Sequence, residues 1–189
     1  MSIVLASASP RRRELLEMMG LEFEIIPAKD EADADGLSPS EAVAKIALGK
    51  AMSVAENRAE EDLIIAADTL VCLDGELLGK PKNEKEAYEM LKKLSGKEHQ
   101  VYTGVAVSQG GQASSGAEMT KVRFCEMTDE DIFAYIATKE PMDKAGAYGI
   151  QGKGAVFIEG IEGDYFNVMG LPLRRLSLML KEFGFSLLR

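Results

Sequence analysis

Apolar and polar positions follow two spacings along this chain, and each spacing predicts a different element. Unbroken or alternating apolar runs at residues 3–6, 23–26, 63–67, 70–73 and 101–107 predict strands. Asp74-Gly75 and Gly110-Gly111 predict hairpin turns, the second leading into a strand that ends near Phe124-Cys125. Helices are predicted where apolar residues recur at intervals of three and four. Ser9 as N-cap and Pro10 at the first helical position start one that runs through Leu15 and Leu16 to Gly20. Ser38-Pro39-Ser40-Glu41 is a capping box, and Val43, Ile46, Ala47, Lys50 and Val54 share one face of the helix behind it.

Asn83 and Glu86 start a third helix, with Ala87, Met90, Leu91 and Leu94 on its apolar face and Gly96 as its stop. Thr128-Asp129-Glu130-Asp131 starts a fourth, with Ile132, Phe133 and Ile136 inward, which ends before Pro141. Residues 155–159 read as a strand and 165–169 as a further strand or loop. Gly170-Leu171-Pro172 then opens a last amphipathic helix through Leu180 and Phe183. Strands alternating with helices, plus two antiparallel hairpins, predict an α/β fold with a mixed sheet. No internal repeat, low-complexity stretch or long linker interrupts the pattern.

Composition narrows the class. A chain of 189 residues with 46% hydrophobic and 28% charged residues fits one soluble globular domain with ample length for a core. The first residues lack a basic region and a long apolar run, so no signal peptide is expected, and no window approaches a membrane span. Two cysteines, Cys72 and Cys125, sit in apolar or mixed runs and suit small buried hydrophobes in a reducing cytoplasm. With one histidine beside them, a structural zinc site is not expected. The formal net charge of −9 disfavours non-specific nucleic-acid binding, which rests on many Lys and Arg contacts to phosphate. A small anionic ligand needs only a local basic cluster, or a divalent metal on an acidic site.

Such a cluster exists. Arg11, Arg12 and Arg13 occupy the first turn of a helix, where basic side chains oppose the helix dipole. An anion held at the helix N-terminus would account for them, and a solvated basic turn is the plainer reading. No Gly-x4-Gly-Lys-Ser/Thr phosphate loop is present. Asp68-Thr69 interrupts the apolar pattern between residues 63 and 73, either as an active-site edge or as a turn of the chain. Lys50 lies on an apolar stripe, from which it either snorkels to the rim or serves a site. Residues 29–36 form an acidic loop in which any carboxylate is a candidate metal ligand. His99 has no Ser-Asp partners in view and reads as structural. Residues 143–154 carry four closely spaced glycines around Gln151, whose amide can pair with a base edge, though by pattern alone the segment reads as a flexible loop.

Several of these pieces together resemble one family. They are Leu5-Ala6-Ser7-Ala8-Ser9-Pro10-Arg11-Arg12, Ala67-Asp68-Thr69, Gly79-Lys80-Pro81, Leu94-Ser95-Gly96, Asp143-Lys144-Ala145-Gly146-Ala147-Tyr148-Gly149-Ile150-Gln151-Gly152 and Gly170-Leu171-Pro172. In this order, across almost the whole chain, they resemble the Maf family of nucleoside triphosphate pyrophosphatases, formerly labelled septum-formation inhibitors. The resemblance implies an elongated two-lobed α/β fold around one central cleft, like that of inosine triphosphate pyrophosphatases, spanning residues 1–189 as a single domain. It implies hydrolysis of a nucleoside triphosphate to the monophosphate and pyrophosphate, with a divalent cation, Mg or Mn.

Matched residue by residue, the resemblance implies Asp68 as proton acceptor and Arg11 and Arg12 as phosphate-binding arginines. Lys50 and Lys80 match cleft lysines. Glu31, in the variable acidic loop beside Asp30, is the best match for a second metal carboxylate with Asp68. The combination of Arg11, Thr69 and Gln151 looks like the branch that prefers dTTP and UTP. A cytoplasmic homodimer is a further expectation, with no nucleic-acid or membrane partner. A non-catalytic nucleotide-binding regulator of cell division is the alternative function.

Overall fold

A computed structural model describes residues 1–29 and 32–188. In chain order the elements are β1 (Ile3–Leu5), α1 (Pro10–Met18), β2 (Glu24–Ile25), α2 (Pro39–Ala55), β3 (Leu63–Leu73) and β4 (Glu76–Leu78). They continue with α3 (Glu84–Leu94), β5 (Glu98–Gln109), β6 (Gln112–Phe124), α4 (Asp129–Ala137), β7 (Ile158–Glu162), α5 (Tyr165–Met169) and α6 (Leu173–Glu182). The strands form one seven-stranded sheet in the order β2-β1-β3-β5-β6-β7, with β4 paired to β3. β1 runs parallel to β2 and β3, whereas β4 on β3 and β7 on β6 are antiparallel, so the sheet is mixed as expected.

Local chemistry accounts for many of the boundaries. At the start of α2 the Ser38 side chain accepts the Glu41 N–H while the Glu41 carboxylate accepts the Ser38 N–H, and Thr128 and Asp131 do the same for α4. Asn83 accepts from Glu86 N and starts α3. Asp74 and Gly75 take φ of 51° and 85°, the pair of left-handed residues that a tight hairpin needs.

The chain divides into two units. The first comprises Met1–Asp68, Thr103–Glu118 and Gly170–Arg189. One layer of its core joins Val4, Ala6, Ile64, Ala66 and Ala106 to Ala47, Ala51 and Val54 of α2. Small residues at this contact bring the helix backbone close to the sheet. Gly104 of β5 is the tightest point, since a Cβ there would lie 2.0 Å from the Val43 carbonyl oxygen. The second unit comprises Thr69–Tyr102 and Met119–Met169, packed around Leu91, Leu94, Phe124, Ile132, Tyr135, Tyr148 and Phe157. His99 is fully buried in this second core, as its structural reading expects. Its Nε2 is 2.7 Å from the Tyr148 hydroxyl, and burial drops its pKa to about 4.

Four expectations change. The pattern break at Asp68-Thr69 does not end a strand, because β3 runs through it without interruption. Phe133 turns outward, 59% exposed and stacked on Tyr88 with ring centroids 5.0 Å apart, while Tyr135 takes the inward place. The strand expected at 155–159 begins only at Ile158, and Lys153–Phe157 forms a 3-10 turn. The Ala155 and Ile158 N–H groups bond back to the Gly152 and Ala155 carbonyls, and the N–H groups of Lys153 and Gly154 just before them are directed to the Glu140 carboxylate. Finally, Tyr165–Met169 is a short helix, and Asp164 accepts the Phe166 N–H at its start.

Candidate active site

β3 is buried along both ends and opens in its middle, where Asp68, Thr69 and Leu70 are half-buried. Opposite that opening in the first unit stands α2. Residues 43, 47, 50 and 54 fall on one helical stripe, and Val43, Ala47 and Val54 are buried against the core. Lys50 completes the stripe without snorkelling out. Its Nζ lies 2.7 Å from Asp68 Oδ1, with side chains only 12% and 15% exposed. An ammonium on an apolar face is tolerated here because a carboxylate receives it. The pair leaves a shielded carboxylate at the half-buried middle of an otherwise buried strand, where it is a candidate proton acceptor.

Arg12 is buried on α1, directed inward beside Leu15 and Leu16. Its Nε donates to the Gly170 carbonyl at 2.8 Å and its Nη1 to Ser7 Oγ at 2.9 Å. The guanidinium is thereby held in one orientation, tying the loop before α1 to the turn before α6. Gly170 takes φ of 110°, a backbone conformation natural to glycine. Ser7 and Gly170 were not expected as partners of Arg12, although both lie in the sequence pieces that carry the family resemblance. Arg11 is half-buried in the first helical turn, which holds no acidic residue, and the Ser9 side chain makes no cap bond. Arg13 faces solvent and pairs with Glu17.

Thr69, Lys80 and Gln151 belong to the second unit. Thr69 follows Asp68 on β3, and Lys80 is exposed in the loop after β4, between Gly79 and the buried Pro81. That loop meets the glycine-rich segment, because the Gly146 N–H donates to the Gly79 carbonyl at 3.0 Å. Gly146 has φ of 69°, and a Cβ on it would press to 3.1 Å from Val71. The glycine-rich segment is therefore packed, with Gly146 through Ile150 buried, and Gln151, Gly152 and Lys153 are presented at the surface. The plain flexible-loop reading does not describe it.

Among the described residues, no group of three or more His, Cys, Asp or Glu is placed to hold a metal ion alone. Asp68 offers a hard oxygen donor, which suits a cation that takes one or two carboxylates and completes its shell with water and phosphate oxygens. Glu31, and Asp30 beside it, lie outside the described residues. No described helix is long and apolar enough to cross a membrane.

The mixed sheet and its flanking helices define an α/β protein. Its fold is similar to that of a HAM1 protein from Coxiella burnetii, with a TM-score of 0.54 over 96% of this chain and 99% of that one, at 16% identity. The family model described as Maf-like protein matches residues 2–183, and the chain belongs to that family. It is 52% identical over 183 residues to a dTTP/UTP pyrophosphatase of Bacillus cereus (strain AH820), covering 96% of this chain and 95% of that protein. A protein of the same name from Bacillus thuringiensis subsp. konkukian (strain 97-27) matches with the same identity and coverage.

Proposed function

We propose that this chain is a nucleoside triphosphate pyrophosphatase acting on dTTP and UTP, releasing the nucleoside monophosphate and pyrophosphate. The observation that carries the reading is the shielded Lys50–Asp68 pair, 2.7 Å apart, in a chain that shares half its residues with proteins named for this activity.

Phosphoryl chemistry asks a protein mainly for positioning and for stabilisation of spreading negative charge. Asp68 accepts the proton of the attacking water as the water oxygen bonds to the α-phosphorus. The bond from the α-phosphorus to the bridging oxygen breaks, and pyrophosphate carries that oxygen away. Lys50 holds the Asp68 carboxylate in one orientation. Arg12, already fixed by Ser7 and Gly170, supplies an oriented positive charge, and Arg11 and Lys80 add to it. Asp68, with Glu31, would hold Mg²⁺ or Mn²⁺, which when bound neutralises phosphate oxygens and makes a bound water more acidic. The Gln151 amide, one donor and one acceptor, pairs with the carbonyl and N–H of a thymine or uracil edge. Thr69 completes the match to the pyrimidine branch.

The test is pyrophosphate release from a nucleoside triphosphate panel with Mg²⁺, comparing the native chain with Asp68→Asn. Release from dTTP and UTP that falls at least about a hundredfold in the variant is expected of a lost general base. Equal release from both chains removes Asp68 from that role. Tight nucleotide binding with no release by either chain would instead make the protein a regulator. The cytoplasmic location and the homodimer carry over from the resemblance and are checked by fractionation and light scattering.

A further inference from the structure

Gln151 stands at the exposed tip of a bend whose backbone is tied to one carboxylate in the second unit. Glu140 Oε2 accepts the Lys153 N–H at 2.9 Å, and Oε1 accepts the Gly154 N–H at 3.1 Å. The same Oε1 accepts the Tyr135 hydroxyl at 2.9 Å, and that hydroxyl oxygen accepts the Gly149 N–H at 3.1 Å. Backbone groups before and after Gln151 are thus gathered on a single acid and its phenol neighbour. Burial pushes the Glu140 carboxyl up, but the N–H groups of Lys153 and Gly154 and the Tyr135 hydroxyl outweigh it and hold the carboxyl below its ordinary value. The side chain is therefore an acceptor at both oxygens.

Sterics close the same bend. A Cβ on Gly152, where φ is +88°, would lie 2.8 Å from Glu140 Oε2. A Cβ on Gly154 would lie 2.6 Å from the Tyr135 hydroxyl and 2.5 Å from the Gly149 carbonyl. Lys144 holds the carbonyl of Glu140 at 2.6 Å, so the clamp is itself fixed at its base. Charge-assisted bonds to a preset carboxylate are stronger than neutral ones and fix geometry as well.

We propose that Glu140, acting through Tyr135 and the backbone of the 149–154 bend, is a positioning residue for base selectivity, because it presents the Gln151 amide in one orientation. This rests on the reading of Gln151 as the group that meets the base. Glu140 itself touches no reacting atom. It differs from a merely structural acid in that its effect must pass through Gln151.

The experiment uses the full chain with Glu140→Gln, Tyr135→Phe and Gln151→Ala, alone and combined, assayed with UTP and GTP and by amide hydrogen exchange. Glu140→Gln places an amide nitrogen against an N–H donor. It should speed exchange at Lys153 and Gly154 and lower kcat/KM for UTP about tenfold more than for GTP, chiefly through KM. Added to Gln151→Ala, it should leave the UTP-to-GTP ratio where Gln151→Ala alone leaves it. Tyr135→Phe keeps the ring against Phe157, at 5.3 Å between centroids, and should speed exchange at Gly149 and shift the UTP-to-GTP ratio in the same direction, which tests the clamp should Glu140→Gln fail to fold. Unchanged exchange in a folded variant overturns the clamp, whatever Gln151 does. An undiminished change of the ratio in the Gln151→Ala background overturns the route through Gln151. If exchange quickens while Gln151→Ala leaves the ratio unaltered, base reading by Gln151 is what fails, and the selectivity proposal fails with it.

Discussion

The Lys50–Asp68 pair allows stability and activity to be separated in one set of variants. At 2.7 Å, and with an effective dielectric of about 20, two unit charges attract by roughly 6 kcal/mol. Most of that is offset by removing both ions from water, a cost of several kcal/mol per ion. Breaking the pair on one side is dearer than its net worth suggests, because the remaining ion stays shielded. Lys50→Met should therefore cost about 2–4 kcal/mol, and Asp68→Asn, which keeps an acceptor oxygen, about 1–2 kcal/mol. The double variant should cost less than the two together by about 2 kcal/mol, read from urea denaturation with unchanged slope. Pyrophosphate release should fall at least about a hundredfold in Asp68→Asn under conditions where the variant is still fully folded. Additivity within about 0.5 kcal/mol would refute the claim that the pair acts as a unit. Activity lost only in proportion to folded protein would refute the catalytic role.

Further outcomes follow from other parts of the structure. His99, buried with a pKa near 4 against 6.5 when unfolded, makes the unfolded chain bind more protons between those values. Stability should fall by about 3 kcal/mol as pH drops from 6.5 to 4, and His99→Gln should remove that slope while the native chain keeps it. The carboxyls of Glu41, Asp62, Asp129 and Asp131 enter only the acid end of this window. Hydrogen bonds from Ser38, Ser2, Lys92 and Thr128 respectively hold them low, so their contribution begins to be lost as pH falls through about 5, and the His99 slope is read above that, as the difference between the native chain and His99→Gln. Gly104→Ala should cost at least about 3 kcal/mol in urea denaturation, because the new methyl group meets helix backbone that cannot step aside. Chelation should abolish pyrophosphate release, with Mg²⁺ or Mn²⁺ restoring it. Release that persists in excess chelator would remove the cation from the reaction.

Some features of this protein act within a few residues and were legible in order along the chain. Ser38 with Glu41, Thr128 with Asp131 and Asn83 with Glu86 start helices because each side chain reaches an N–H three residues on. Asp74-Gly75 turns because those two residue types accept positive φ. Pattern also placed Lys50 on the apolar face of α2. It did not say why a lysine is tolerated there, since the answer is a carboxylate 18 residues away that only the packing of α2 on β3 supplies. The fixed orientation of Arg12 depends on a carbonyl 158 residues distant. The strand expected at 155–159 gave way at its start to a 3-10 turn, in which the Ala155 and Ile158 N–H groups bond three residues back, just after the Lys153 and Gly154 N–H groups are held by a Glu140 carboxylate 13 and 14 residues away. Caps, turns and periodicity belong to the sequence alone because their partners are covalent near-neighbours. Which ion meets which, and which backbone donor finds which acceptor, is decided by the tertiary structure, because those partners become neighbours only once the core has packed.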